Sequence, residues 1–324
     1  MDAADRARVA ADRSLSGGHE PRPRRQMSAM RYSTGFLLAC AAAVLWSLMA
    51  LGLRLIGEAS VWEILFWRSV GLLPVAAALI VWTHGSLAGP VLAAGWAGLV
   101  GGLALAVSFC GAVYAIQSTA VANAVFLYSA APFFAALLGR LVLGEAVRAS
   151  TWAAIALASV GVFVMVCDGL ALGAGPGNIA ALISAAGFAV LTLAMRARPA
   201  GDPAVPVLLG AVFNLGLSLP IALAVGGRIA PPATDILIAL ALGAVVLGLG
   251  LGLYSRGSRA VPAADLALVS MIEVLLAPVW VWLVLNETVT PGTLFGGAIL
   301  LTALAFNALA AGRAAPSPSP TGGG

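Results

Sequence analysis

Apolar residues run through this chain in long uninterrupted stretches, cut by short polar breaks. A helix needs roughly 20 such residues to cross the hydrocarbon of a bilayer. Ten stretches reach that length: 33–53, 60–83, 91–115, 119–140, 149–167, 177–196, 203–225, 235–255, 261–285 and 291–312. The breaks at Gly85 to Pro90, Gly173 to Asn178, Pro199 to Pro203 and Ala230 to Asp235 carry Gly, Pro, Asp and Asn, which end helices and form turns. The shortest break is Gln117-Ser118. The pattern predicts an all-α, polytopic membrane protein of ten transmembrane helices.

Composition agrees. Hydrophobic residues make up 61% of the 324, and charged residues only 9%. A soluble globule lacks the interior to hide that much apolar surface, and soluble domains carry about a quarter charged residues. The lipid bilayer is therefore the first partner of the chain, and no nucleic-acid partner is expected. All 17 basic residues are Arg. Without Lys there is no phosphate loop ending in Lys and no Lys Schiff base. His19 and His84 cannot form a HExxH zinc site, and Cys40, Cys110 and Cys167 show no CxxC spacing and sit in apolar runs. Gly98-Leu-Val-Gly-Gly102, and Gly243 with Gly248, Gly250 and Gly252, suit close helix contact; no strand precedes them, as a dinucleotide loop requires. No cofactor and no metal are expected.

Arginine sets the orientation. With the N-terminus in the cytoplasm, the inside collects 14 of the 17 Arg, the outside only Arg54 and Arg228, and Arg68 lies within a span. That asymmetry fits the positive-inside rule and an even number of spans, with both termini cytoplasmic. Residues 1–32 are Arg-rich without an apolar face and are expected to be a disordered cytoplasmic tail; 313–324 reads as a second tail. The first apolar run has full spanning length, unlike a cleavable signal peptide.

The spans fall into two copies of one unit. At an offset of 142 residues, Leu141-Val142-Leu143 falls on Leu283-Val284-Leu285, Glu145 on Glu287, Val147 on Val289 and Thr151 on Thr293. The same shift brings Gly35 onto Gly177, Trp46 onto Phe188, Arg54 onto Arg196 and Asn123 onto Asp265. Each unit holds five spans, an odd number, so the second copy enters the membrane inverted. Inverted repeats are a recurring design of secondary transporters, in which two halves rock about a site near the midplane.

Tyr114-Ala-Ile-Gln-Ser-Thr-Ala-Val-Ala-Asn-Ala, Ser129-Ala-Ala-Pro132 and Leu143-Gly-Glu145 resemble the first EamA unit of the drug/metabolite transporter superfamily. Ala263-Ala-Asp-Leu-Ala-Leu-Val-Ser-Met-Ile-Glu273 and Pro278-Val-Trp-Val-Trp-Leu-Val-Leu-Asn-Glu287 resemble the second. The likeness covers about residues 33 to 312, with repeats at 33–167 and 177–312. It implies carriage of small metabolites, amino acids or drugs through a cavity lined mainly by the first, third and fourth helices of each half. Two residues depart from the family's pattern: Val274 stands where Pro commonly follows the Glu, and Asn286 replaces the Gly before Glu287.

Glu273 is the thirteenth residue of its run, on the order of 18 Å from the inner edge. An ionised carboxylate at that depth costs at least about 2.5–3.5 kcal/mol, so it should not face lipid. Helical spacing places Leu266, Ser270, Glu273, Ala277 and Trp280 on one face, offering a hydroxyl, a carboxylate, a gap and an aromatic wall. Pro278 frees the carbonyl of Val274 one turn away. A substrate site or proton relay is one reading of Glu273; a structural carboxylate, protonated or tied to a neighbouring helix, is the other. Arg68 is the second deep charge, and an ion pair with Glu273 that joins the halves and closes one gate is one role for it; snorkelling outward, or being held by Glu63 and loop carbonyls, is the alternative. Asn123 and Asp265 either cap their helices or line opposite vestibules. Glu145 and Glu287 are expected to anchor loops. Trp46, Phe188, Tyr114, Tyr128 and Tyr254 are candidate walls of the pathway, with packing and interface belts as the alternative.

Together these features point to a multi-pass secondary carrier of the bacterial cytoplasmic membrane. It would move a small organic solute by alternating access, with export as the family-implied direction. A second copy of the chain is a further candidate partner. A membrane-embedded enzyme and a channel are the competing classes. The sequence offers the first no nucleophile–base set, and the second no rings of charge.

Overall fold

In a computed structural model, residues 32–171, 173–197, 202–226 and 228–313 are described. Tyr32 and Arg313 are helical ends; the remainder of both expected tails lies outside the described residues. Among the described residues every regular element is a helix. In order they are α1 (Tyr32–Leu55), α2 (Val61–His84), α3 (Ala88–Ser118), α4 (Val121–Tyr128), α5 (Ala131–Val142), α6 (Ala149–Ala171), α7 (Gly175–Ala197), α8 (Ala204–Gly226), α9 (Ala233–Ala241), a π-helical segment (Leu242–Leu249), α10 (Gly250–Gly257), α11 (Ala263–Leu285) and α12 (Pro291–Arg313). Two of the ten expected spans are thus composite. Among the described residues nine apolar helices are long enough to cross a membrane, counting α4 with α5 and α9 to α10 as one each. Val269–Leu285, inside the 23-residue α11, is a shorter apolar stretch that supplies the tenth.

The expected boundaries shift where backbone chemistry intervenes. α3 starts earlier than the apolar run implies, and bends at Gly95, whose φ of 53° only glycine adopts cheaply. The expected break at Gln117-Ser118 falls at Thr119-Ala120 instead. The fourth span is interrupted at Ser129-Ala130, because Pro132 has no N–H to return to the carbonyl of Tyr128. In the eighth span the π-helical turns accompany a close approach, for a Cβ on Gly243 would strike the backbone of Arg68 in α2.

Packing obeys the same exchange of halves as the sequence. α3 lies on α7, and its counterpart contact is α10 and the π segment on α1. α11 lies on α1, matched by α4 and α5 on α7. α2 packs on α8 and α6 on α12, contacts that map onto themselves. The two five-span halves are therefore related by an approximate two-fold axis and inserted in opposite senses. One buried cluster runs across both, from Leu53 and Ile64 through Val125 and Leu127 to Val274 and Leu300. Large apolar side chains such as Leu37, Trp82, Phe163, Leu237 and Phe295 point outward, as lipid-facing surface requires.

The symmetry extends to the caps. Gly144 and Asn286, equivalent under the offset, both take left-handed backbone, at φ of 67° and 54°. Asn is among the few side-chain-bearing residues that tolerate this conformation, which accounts for its place in the second repeat. Asn286→Val should destabilise the protein by about 1–2 kcal/mol, whereas Asn286→Gly should leave it unchanged or slightly more stable. Thermal unfolding in detergent distinguishes the two.

Candidate functional site

Helix ends gather at two faces, here the N-face, where α1 begins, and the far face, where it ends. The alternation follows from contacts between ends far apart in sequence. At the N-face, Tyr32 meets Asp265 at 2.9 Å, Arg196 meets Glu145 at 3.0 Å, and His84 meets Asp202 at 2.6 Å. At the far face, Arg54 meets Glu287 at 3.1 Å and Arg228 meets Glu63 at 3.3 Å, while Thr290 donates to Asp168.

Two of these ion pairs are images of each other. The offset carries Arg54 to Arg196 and Glu145 to Glu287, so Arg54–Glu287 becomes Arg196–Glu145. Each joins the first span of one half to the end of the fourth span of the other. Each carboxylate follows the left-handed residue that ends its span, which turns the chain back toward the Arg. Glu145 and Glu287 thus do more than anchor loops. The pairs are unequal in setting. Arg54 and Glu287 are 25% and 26% exposed, against 46% and 41% for Arg196 and Glu145. Glu287 also accepts the N–H of Val121 at 2.7 Å, and Arg54 donates to the carbonyl of Thr119 at 2.7 Å, fastening the far-face pair to the start of α4.

Asn123 and Asp265 make a second symmetry-matched set. Neither caps its helix, contrary to one of the two expectations: each stands in the first turn and reaches across to the other half. Asn123 pairs with Asn178 at the start of α7 and donates to Thr119 Oγ1 at 3.2 Å. Asp265 accepts the Tyr32 hydroxyl at the start of α1. Asn123 is 2% exposed and its Oδ1 lacks a hydrogen-bond partner among the described residues.

Between these layers lies Glu273. It is the eleventh residue of α11, so its Cα is about 15 Å along the helix rather than 18 Å, close to mid-depth. The Tyr128 hydroxyl donates to Glu273 Oε1 at 3.2 Å. Tyr128 ends α4 at the Pro132 break, so the bond joins the two fourth spans, one from each half, where one of them is interrupted. Seven residues on, Trp280 Nε1 donates to Ser47 Oγ of α1 at 2.8 Å. Trp46 packs on Tyr254 with ring centroids 5.3 Å apart, and its indole N–H is buried without a partner among the described residues. Ser270, on the same helix, is exposed.

The symmetry mates of the Trp46 region are looser. Phe188, which replaces Trp46 in the second half, is 49% exposed. It lines an open hollow of about 540 Å³ with Leu191, Thr192, Met195 and Arg196, on the N-face half of α7. Tyr114, 43% exposed, stands apart near the far end of α3.

The expected role of Arg68 is corrected. It pairs with neither Glu63 nor Glu273. Glu63 closes a capping box with Ser60 and binds Arg228, and Glu273 takes Tyr128. Nor does Arg68 snorkel: it is 3% exposed, with its guanidinium 4.4 Å above the ring centroid of Phe109. Among the described residues no group of three or more His, Cys, Asp or Glu could hold a metal ion.

Comparison with known proteins accords with this architecture. The model of the EamA-like transporter family matches residues 33–167 and again 175–309. A solved structure titled only "Crystal structure of protein" superposes with a TM-score of 0.62, over 87% of this chain and 99% of its own, at 19% identity. That likeness concerns the fold alone. No curated protein matches.

Proposed function

Since the chain belongs to the EamA-like transporter family, and is thus a multi-pass membrane transporter of the drug/metabolite type, we propose that it is a secondary carrier moving a small organic solute by alternating access. The observation that carries this reading is the exchange of Arg54–Glu287 for Arg196–Glu145 across the membrane. Two halves of the same build, inserted oppositely, can each adopt the packing of the other. Exchanging their conformations turns a protein closed at one face into one closed at the opposite face, at little net cost. Both pairs are formed here, at 3.1 and 3.0 Å, and the far-face pair is the more shielded from solvent.

On this reading the N-face and both termini lie in the cytoplasm of a bacterium, a sidedness that the excess of Arg at that face supports. The solute would occupy the mid-depth region bounded by Glu273, Ser270, Trp280, Tyr128, Trp46 and Phe188, with Asn123 and Asp265 at its two mouths. Transport runs outward on this reading, and Glu273 carries the coupled proton. When ionised, Glu273 holds the Tyr128 hydroxyl in a charge-assisted bond across the halves; protonation removes the charge and weakens the link. Binding a proton therefore changes how firmly the halves are joined at their centre.

Purified protein in liposomes, screened against metabolites with and without an imposed pH gradient, should show saturable uptake of at least one solute, increased by the gradient. Single-channel currents, or flux that rises linearly without saturation, would contradict a carrier.

A further inference from the structure

We propose that Arg68, with Asn214, forms an anion-binding site between the halves, built for the carboxylate of the transported solute. Arg68 is the eighth residue of α2, about 10 Å below the far face. Its guanidinium makes no hydrogen bond among the described residues, and Nη2 is fully buried without a partner. A guanidinium stays protonated in proteins, so the positive charge remains. Glu63, Asp235 and Glu273 are committed elsewhere. Glu63 serves Ser60 and Arg228, and Asp235 accepts backbone N–H groups of Gly57, Glu58 and Ala59. Glu273 holds Tyr128.

A second unmatched donor faces the same helices. Asn214 of α8 is 0% exposed; its Oδ1 accepts the Cys110 thiol at 3.4 Å, and its Nδ2 is buried without a partner among the described residues. Cys110 follows Phe109, the ring beneath Arg68, and its sulfur lies within electrostatic range of the guanidinium. α2, α3 and α8 pack pairwise here. A buried cation and a buried amide donor, both lacking acceptors, make a site short of one anion. The planar guanidinium fork fits a carboxylate with two parallel bonds, and the amide supplies a third donor. Because α2 and α8 belong to different halves, the site opens only when the halves part. In that single respect the proposal rests on the alternating-access reading.

A solute carboxylate and an inorganic monoanion such as chloride share this chemistry. The test is thermal unfolding of the purified full chain, with a bulky sulfonate as the only other anion. Acetate, propionate, benzoate and chloride are titrated beside acetamide and benzamide. Carboxylates should raise the unfolding temperature while the amides do not. Arg68→Gln should raise the required concentration at least tenfold, and Arg68→Lys, which keeps the charge but loses the fork, by less. Asn214→Ala should weaken carboxylates several-fold and carries the test if Arg68→Gln fails to accumulate. Chloride acting as strongly as the carboxylates, and through Arg68, would overturn the solute-carboxylate assignment and leave an inorganic-anion site. No anion effect, or an effect indifferent to Arg68 and Asn214, would overturn the site altogether. Solute flux without any anion effect removes this site and spares the carrier; an Arg68-dependent anion effect without flux does the reverse.

Discussion

Glu273→Gln should abolish solute accumulation driven by a pH gradient, by at least tenfold, while solute-for-solute exchange across the same liposomes continues. Gln keeps the shape of the side chain and an oxygen that can accept from Tyr128, so the protein should reach the membrane at the normal level. What Gln lacks is a titratable proton. Exchange requires the halves to rock with solute bound but moves no net proton, whereas accumulation against a gradient requires the proton to travel. Tyr128→Phe offers the complementary result: the carboxyl remains, but the link between halves is cut. Charge-assisted hydrogen bonds contribute about 1.5–3 kcal/mol, so its loss should shift the balance of conformations by roughly ten- to a hundredfold. Unchanged pH-driven accumulation in Glu273→Gln would remove the proton relay from the account.

The second large effect concerns the matched ion pairs. Glu287→Gln at the far face should favour the state open to that face; Glu145→Gln should favour the state open to the N-face. The effects are expected to differ in size as well as in sign. Arg54–Glu287 is three-quarters shielded from solvent and also caps α4, so its loss is worth about 1–2 kcal/mol, a five- to thirtyfold shift. Arg196–Glu145 is nearly half exposed, and screening leaves it under about 1 kcal/mol. Accessibility of a single cysteine placed in either vestibule, measured in each variant, reads both signs. Reversing charges together, Arg54→Glu with Glu287→Arg, should restore most of the wild-type balance. Shifts of the same sign from Glu287→Gln and Glu145→Gln would remove the gates.

The residues that make these ion pairs were within reach of the sequence. Arg54 and Arg196 coincide under the offset, as do Glu145 and Glu287. What periodicity alone did not supply was the crossing between halves, because helix patterns state which face is apolar and not which helix it meets. The fold itself was legible for a simple reason: hydrocarbon demands long apolar helices, and the chain obeys. Composite spans were harder. Pro132 is a local signal of the break in the fourth span, though 119–140 reads as one apolar stretch; the π turns around Leu242–Leu249 arise from the close passage of α2, a tertiary cause with no local signature beyond the glycines.

The site residues show the same division. Glu273 stood out because a carboxylate in an apolar run is expensive, whichever neighbour it finds. Its partner Tyr128 could be named only as one aromatic among several. Asn178, Tyr32 and Asn214 drew no attention in sequence, since an Asn or Tyr near a helix end has many ordinary roles; their importance lies in whom they meet. Arg68 was recognised as a deep charge and given the wrong partners. Glu63, five residues earlier, was already taken by its own capping box, a motif readable as Ser60-x-x-Glu63 and overlooked.

All of this depends on two five-span halves inserted in opposite senses. Sided labelling tests it most directly, in a protein whose Cys40, Cys110 and Cys167 are replaced by Ser and which carries one new cysteine, at Ala146 or at Thr288. Both positions are exposed, each one residue beyond a glutamate of the matched pairs. A membrane-impermeant maleimide should react with Thr288→Cys in intact cells, and with Ala146→Cys only after the membrane is opened. Equal reaction of both in intact cells, or of neither, would place the two glutamates on one side and contradict the inverted arrangement.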